Sequence, residues 1–244
     1  MQLTDDLEFS HRDRKDIYEY VEGHGTVDYD EARQALRMDE TAFGHHVAIM
    51  KRDGVLEQTD DGDLRVAFER GEEETHAADG IEYQIRQARE EDLTGLVGAI
   101  RAAIDEKTYI EAESMADVLD HQNVLLRHNA LESRMFFVAT VDNEVVGWVH
   151  LNVPEMEKLD HTAELTIGVL EEYRGHGIGS HLLERGTKWA TTSGVEKLYS
   201  SVPSTNETAI EWLQSHGWET EAVREDHYKL EGEYIDEVMM AYHL

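Results

Sequence analysis

Cysteine is absent from the 244 residues. That excludes disulfides, thiolate zinc sites and a cysteine nucleophile. Proline occurs only twice, so long Pro-rich disordered linkers are not expected. No apolar run approaches the roughly 20 residues that cross a bilayer as a helix, and Met1 to Ser10 are polar and acidic rather than signal-like. The expectation is a soluble, cytoplasmic chain with no membrane partner. Basic side chains are scarce as well. Lys and Arg number 22, only seven of them Lys, against 53 Asp and Glu, for a formal net charge of -31. Acidic surfaces poor in lysine keep proteins hydrated in concentrated salt, and the acids are spread along the whole chain, so a halophilic source is expected. Attraction of a cationic substrate is the competing reading. At molar salt the Debye length is about 3 Å, which nearly abolishes long-range steering.

What is present falls into two patterned regions, 1–68 and 81–244, separated by an acidic linker over 69–80 that has almost no large apolar residue. In the first region a helix is predicted from about Asp13 to Glu22, with Ile17, Tyr20 and Val21 on one face and Gly23 and Gly25 ending it. A second opens at Asp28 with Glu31 three residues on, burying Ala32, Ala35 and Leu36. A third follows Asp39, with Phe43, Val47 and Met50 inward. Val55-Leu56 and Leu64–Val66 around Asp61-Gly62 read as a hairpin. Three helices and a two-stranded wing resemble a winged helix-turn-helix. The resemblance implies that helix three reads DNA, with His45, Ala48, Ile49, Lys51 and Arg52 on its outer face. Acids outnumber bases here, whereas phosphate contacts need Lys and Arg. DNA contact and a docking or dimerising role both fit, and a homodimer is allowed.

The second region alternates strands and helices. Strands are predicted at Tyr83–Ala88, Met135–Val141, Val145–Leu151, Leu165–Val169, Lys197–Val202, Trp218–Val223 and Glu237–Tyr242. Helices are predicted from Asp92 to about Ile100, over Ala116 to Arg127, after the glycine loop, and from Asn206 to His216. The loop Arg174-Gly175-His176-Gly177-Ile178-Gly179-Ser180 joins a strand to a helix. Without Cβ atoms its backbone can fold tightly and approach a ligand, and amide N–H groups at a helix start suit phosphate oxygens. It lacks the Gly-Lys-Ser/Thr ending of a Walker loop.

Arg174, Gly177 and Gly179 meet the pattern R-x-x-G-x-G, and Asn206 with Ala209 and then Gly217-Trp218 meets a second landmark. On these residues the chain resembles the GNAT superfamily of N-acetyltransferases over some 160 residues. The resemblance implies an α/β (α+β) fold with a mixed, mostly antiparallel central sheet flanked by helices. It also implies acetyl-CoA as co-substrate, an amine acceptor and no metal. Ile167, Gly168 and Val169 are expected to hold the pantetheine arm and polarise the thioester. Arg174, Gly175, His176, Gly177, Ile178, Gly179 and Ser180 are expected to hold the pyrophosphate, with Asn206 assisting; His181, Arg185 and Lys188 cluster nearby, the last two read as ordinary helix-surface charge.

An attacking amine must lose a proton. Glu164, at the start of the strand before the loop, is the candidate base, with His161 and His150 behind it. The family often places a general-acid tyrosine seven residues after the landmark Asn, and here that position is Leu213. The expected acceptor cleft lies around Thr108 to Asn129 and Glu155 to Asp160. A DNA- or partner-binding regulator with a weakly catalytic, acetyl-CoA-sensing domain is the alternative.

Overall fold

The structure is a computed structural model that describes residues 9–68, 71–104, 110–230 and 232–244. The chain start up to residue 8, the first two residues of the expected linker (69 and 70) and the first part of the expected acceptor segment (108 and 109) lie outside the described residues.

The N-terminal module comprises α1 (Arg12–His24), β1 (Thr26–Val27), α2 (Tyr29–Ala35), α3 (Glu40–Arg52), β2 (Leu56–Gln58) and β3 (Leu64–Val66). Two aspartates start its helices. Asp28 accepts from the Glu31 amide at 2.8 Å and Asp39 from the Ala42 amide at 3.0 Å, each satisfying an orphan first-turn donor. Ile17, Val21, Phe43, Val47, Met50 and Leu64 close over one core. Ala35, expected inside, is exposed, because α2 ends there and turns only Ala32 inward. β1 adds a third strand beside β3; two residues are too few to leave a sequence pattern.

This module was expected to stand apart from the rest, and it does not. The second face of α1 docks on the segment 127–129. Tyr18 Oη donates to the His128 carbonyl at 2.7 Å, and Asn129 Nδ2 donates to Glu22 Oε1 at 2.9 Å. Arg127 Nε lies 3.2 Å from the same carboxylate. Tyr18 and Glu22 are both buried, and Phe68 packs against both cores. The contacts leave the outer face of α3 untouched: His45, Ala48, Lys51 and Arg52 are exposed.

The second module runs β4 (Glu74–Ala78), β5 (Ile81–Gln87), α4 (Leu93–Ile104), α5 (Ile110–Gln122), β6 (Arg127–His128), β7 (Glu132–Val141), β8 (Glu144–Pro154), β9 (Thr162–Val169), α6 (Ile178–Thr192), β10 (Lys197–Pro203), α7 (Glu207–Ser215), β11 (Glu219–Leu230) and β12 (Glu233–His243). Its sheet has the order β11-β12-β10-β9-β8-β7-β5-β4, with β6 on β7. All pairs are antiparallel except β9 with β10. Part of the expected linker is therefore sheet: β4 pairs with β5 across the Asp79-Gly80 turn, where both residues have positive φ.

The α6 helix packs closely on the face carrying Val149 and Leu151, where Gly186 has no side chain to hold it away; α4 packs on α5 and β8. Asp92 was expected to cap α4. Instead its buried carboxylate takes both Arg86 guanidinium nitrogens, at 2.6 and 2.8 Å, and the Arg89 amide at 2.7 Å.

Candidate active site

The parallel pair β9 and β10 is joined over only three residues, Thr162–Glu164 with Lys197–Tyr199. Both strands then continue, to Val169 and to Pro203, without pairing each other. They splay, and a cleft of about 690 Å³ opens between them. Thr166 to Val169 form one wall, Ser200 to Pro203 the other, and Trp212 and Leu213 of α7 close the side. The far edge of β9 is occupied by β8 from Glu164 to Val169. On the cleft side Leu165 to Val169 present peptide groups with no described strand beside them, which suit an extended ligand that hydrogen-bonds as a strand does.

Local packing sets this edge. Trp148 of β8 lies over Gly168, and a Cβ there would fall 2.4 Å from the indole. Beyond Val169 the chain reaches the loop, where Gly175 and Gly177 have φ of +82° and +81°, a region that disfavours other residues. Gly177 is the N-cap of α6, with no side chain to satisfy the first-turn amides. A 15-residue helix thus points its positive end and open N–H groups at the cleft. Arg174 Nε donates to the Val169 carbonyl at 2.9 Å and ties the loop to the strand end. Asn206 accepts from the Ala209 amide at 3.1 Å, caps α7 and lines the cleft. Ser180 Oγ lies 3.0 Å from His216 Nε2.

Of the residues singled out from the sequence, Ile167, Gly168, Val169, Arg174, Gly175, Gly177, Gly179, Ser180 and Asn206 line the cleft. The side chains of His176 and Ile178 do not. His176 turns to Asp79, 3.1 Å from its carboxylate, and Ile178, at the first helical position, is buried in the core. Nor do the nearby bases converge on the cleft. His181 bonds Tyr83 at 2.8 Å and stacks on His76, while Arg185 is buried over Phe137.

Glu164 is exposed on β9, in register with Asn152 of β8 and Tyr199 of β10. It precedes by two residues Thr166, where the cleft lining ends, so both side chains leave the same face of the strand. His150 is unsuited to be a base. It is fully buried, stacked on Phe136 at 4.5 Å, and burial, with the Arg134 charge adding to it, pushes its pKa down to about 3. His161 is exposed in the turn before β9. Leu213 lines the cleft as an apolar wall, and the tyrosine that also lines it, Tyr173, sits beside the loop. Thr166, Ser201 and Trp212 were not singled out from the sequence; only the pairing of β9 with β10 reveals that they meet.

Residues 96–218 match the acetyltransferase (GNAT) family. The chain belongs to that family. It is therefore an N-acetyltransferase, and the family uses acetyl-CoA. An N-alpha-acetyltransferase of Sulfurisphaera tokodaii is 31% identical over 179 residues, which are 68% of this chain and 95% of that protein. The L-amino acid N-acetyltransferase AaaT of Escherichia coli is 28% identical over 43% of this chain and 65% of its own length. Among solved structures, a GNAT acetyltransferase of Streptococcus pneumoniae shares the fold with a TM-score of 0.56 and 24% identity, over 66% of this chain and 99% of that one. A Salmonella typhimurium protein solved with acetyl-CoA matches with a TM-score of 0.55 and 18% identity, over 66% and 94%. The GNAT match begins after α1–α3, so the N-terminal module lies outside it.

Proposed function

We propose that the GNAT domain transfers acetyl from acetyl-CoA to the α-amino group of a peptide or amino acid, by direct attack in a ternary complex. The observation that carries this reading is the splayed β9–β10 cleft running from the uncapped start of α6 to Thr166, two residues from Glu164 on the same strand face. The pyrophosphate belongs at the amides of Gly175 to Ser180 with Arg174 beside them, and the extended arm along Ile167 to Val169 with Asn206 across the cleft. The thioester carbonyl then meets a β9 amide, a fixed donor where negative charge develops. Glu164 takes the ammonium proton, directly or through one water. An α-amine is favoured because it is common to the acceptors named for two different relatives, N-alpha and L-amino acid N-acetyltransferases.

The test is a thiol-release assay in molar KCl with peptides of free or blocked N-terminus, free amino acids, polyamines and an Nα-blocked lysine peptide. Turnover confined to α-amines supports the acceptor class, and lysine or polyamine turnover replaces it.

Leu213 keeps a second reading in play, since leucine donates no proton to a departing thiolate. On that reading residues 10–68 form a winged helix that binds DNA or a partner under control of acetyl-CoA, with little turnover. The exposed Lys51 and Arg52 on α3 support it; the excess of acids opposes it. A mobility shift on duplex DNA that weakens in the Lys51→Ala and Arg52→Ala variants, alongside negligible turnover on every amine, is its signature. The acid-rich, lysine-poor chain is further proposed to work in a salt-rich cytoplasm.

A further inference from the structure

The N-terminal module holds a cluster of side chains that acetyl transfer does not use. His11 is the N-cap of α1, and its Nδ1 accepts from the Asp13 amide at 3.2 Å. The Asp13 carboxylate lies 3.7 Å from that nitrogen and 3.5 Å from Nε2 of His46 on α3. The two imidazoles are 4.7 Å apart, tilted by 37°. One ligand atom from each of the three residues falls within 4.8 Å of the others. We propose that His11, Asp13 and His46 form a site for a divalent transition-metal ion of the zinc class, with its remaining coordination position open to water.

Four-coordinate zinc bonds imidazole and carboxylate at about 2.0–2.2 Å, so neighbouring ligand atoms sit about 3.4 Å apart. Two of the three spacings are already close to that value. The third closes by rotation of His11, whose half-exposed side chain must give up the Asp13 amide to free its lone pair for the ion. His46 is 8% exposed, and its Nδ1 has no partner among the described residues. With the proton on Nδ1, the Nε2 lone pair faces Asp13. The neutral imidazole is the ligating form. Two imidazoles with one carboxylate suit zinc and its neighbours rather than magnesium or calcium.

The ligands come from the start of α1 and the middle of α3, so the ion would clamp these helices together and fix how α3 presents Lys51 and Arg52. No sequence motif marks the site: His11 and Asp13 are two residues apart, and His46 joins them only through the packing of α1 on α3.

The test uses the full chain without a histidine tag, in molar KCl with excess magnesium to occupy the acidic surface. Co²⁺ is titrated while its visible absorption is followed, and Zn²⁺ is then added as competitor. One equivalent should give a saturable band that Zn²⁺ removes. His11→Gln and Asp13→Asn each change an exposed ligand and should weaken binding at least about ten-fold, since even outer-shell changes commonly cost that much. Zn²⁺ should raise the melting temperature of the parent chain and not of the variants, with acetyl-CoA binding unchanged in all three. No saturable band, or an affinity in either variant equal to that of the parent chain, overturns the proposal.

Discussion

In the proposed mechanism, loss of the amine proton comes down to the single carboxylate of Glu164. It shares a strand face with Thr166, where the cleft ends. Replacement by Gln keeps the shape and removes the proposed base. Turnover should fall by about 10²–10⁴-fold, while calorimetry shows normal acetyl-CoA affinity; near-normal turnover would transfer the role to His161 or to a water. Gly177→Glu should have the opposite profile, with acetyl-CoA binding lost. The side chain would need a left-handed φ and would set a negative charge at the start of α6, where the proposal puts the phosphates. Calorimetry showing unchanged affinity would remove the loop from the binding site.

His150 predicts a pH effect. Its pKa is about 3 in the fold against 6.5 for the ordinary side chain. Between these values the unfolded chain binds a proton that the folded chain excludes, so stability rises with pH across that window. The contribution is complete above about pH 6.5 and is lost as pH falls towards 3. In His150→Leu that loss disappears, so the drop in melting temperature from pH 7 to pH 4.5 should be smaller than in the parent chain.

At the level of elements, β7, β8, β9, α6 and α7 were legible because each carries a strong period or a stop: the apolar run Met135–Val141, the Asp142-Asn143 turn, the face Leu182, Leu183, Gly186, Gly217 after α7. The glycine loop was legible because positive φ leaves a glycine signature. What escaped was whatever depends on pairing at a distance. β4 reads as linker since Glu74, Thr75 and His76 are polar, yet backbone pairing with β5 needs no apolar side chain. His176 sits inside the motif, but nothing local says it turns to Asp79.

The docking of α1 escaped for a similar reason. A helix with one apolar stripe reads as a single-faced element, and Tyr18 and Glu22 were simply polar positions. Tyr18→Phe should leave the His128 carbonyl buried without its donor. That costs about 1–3 kcal/mol and lowers the melting temperature by about 2–4 °C per kcal/mol for a chain of this size. An unchanged melting temperature in differential scanning calorimetry would mean that the α1 contact adds nothing to stability.

At the scale of the whole molecule the net charge of -31 dominates. Carboxylates close together repel unless salt screens them, and the Debye length falls from about 30 Å at 0.01 M to about 3 Å at 1 M. The melting temperature should therefore rise strongly from dilute buffer to molar KCl. A flat melting curve across that range would count against adaptation to salt. The two cores are coupled through Phe68 and the α1 contact, so the transition should also shift as one.

The strand β4 decides where this protein can be cut. Residues 74–78 cover the outer edge of β5, and the family match, which starts at residue 96, gives no hint of them. A catalytic fragment beginning at residue 81 would uncover the edge of β5 from Ile81 to Ile85, where Tyr83 and Ile85 are buried in the intact chain. Such an edge is a template for pairing with another copy. Starting the fragment at residue 71 keeps the edge covered by a short strand that follows the acidic Glu72 and Glu73. Even that fragment bares the surface around His128 where Tyr18 rests, so the smallest well-behaved unit of this enzyme is larger than its catalytic fold.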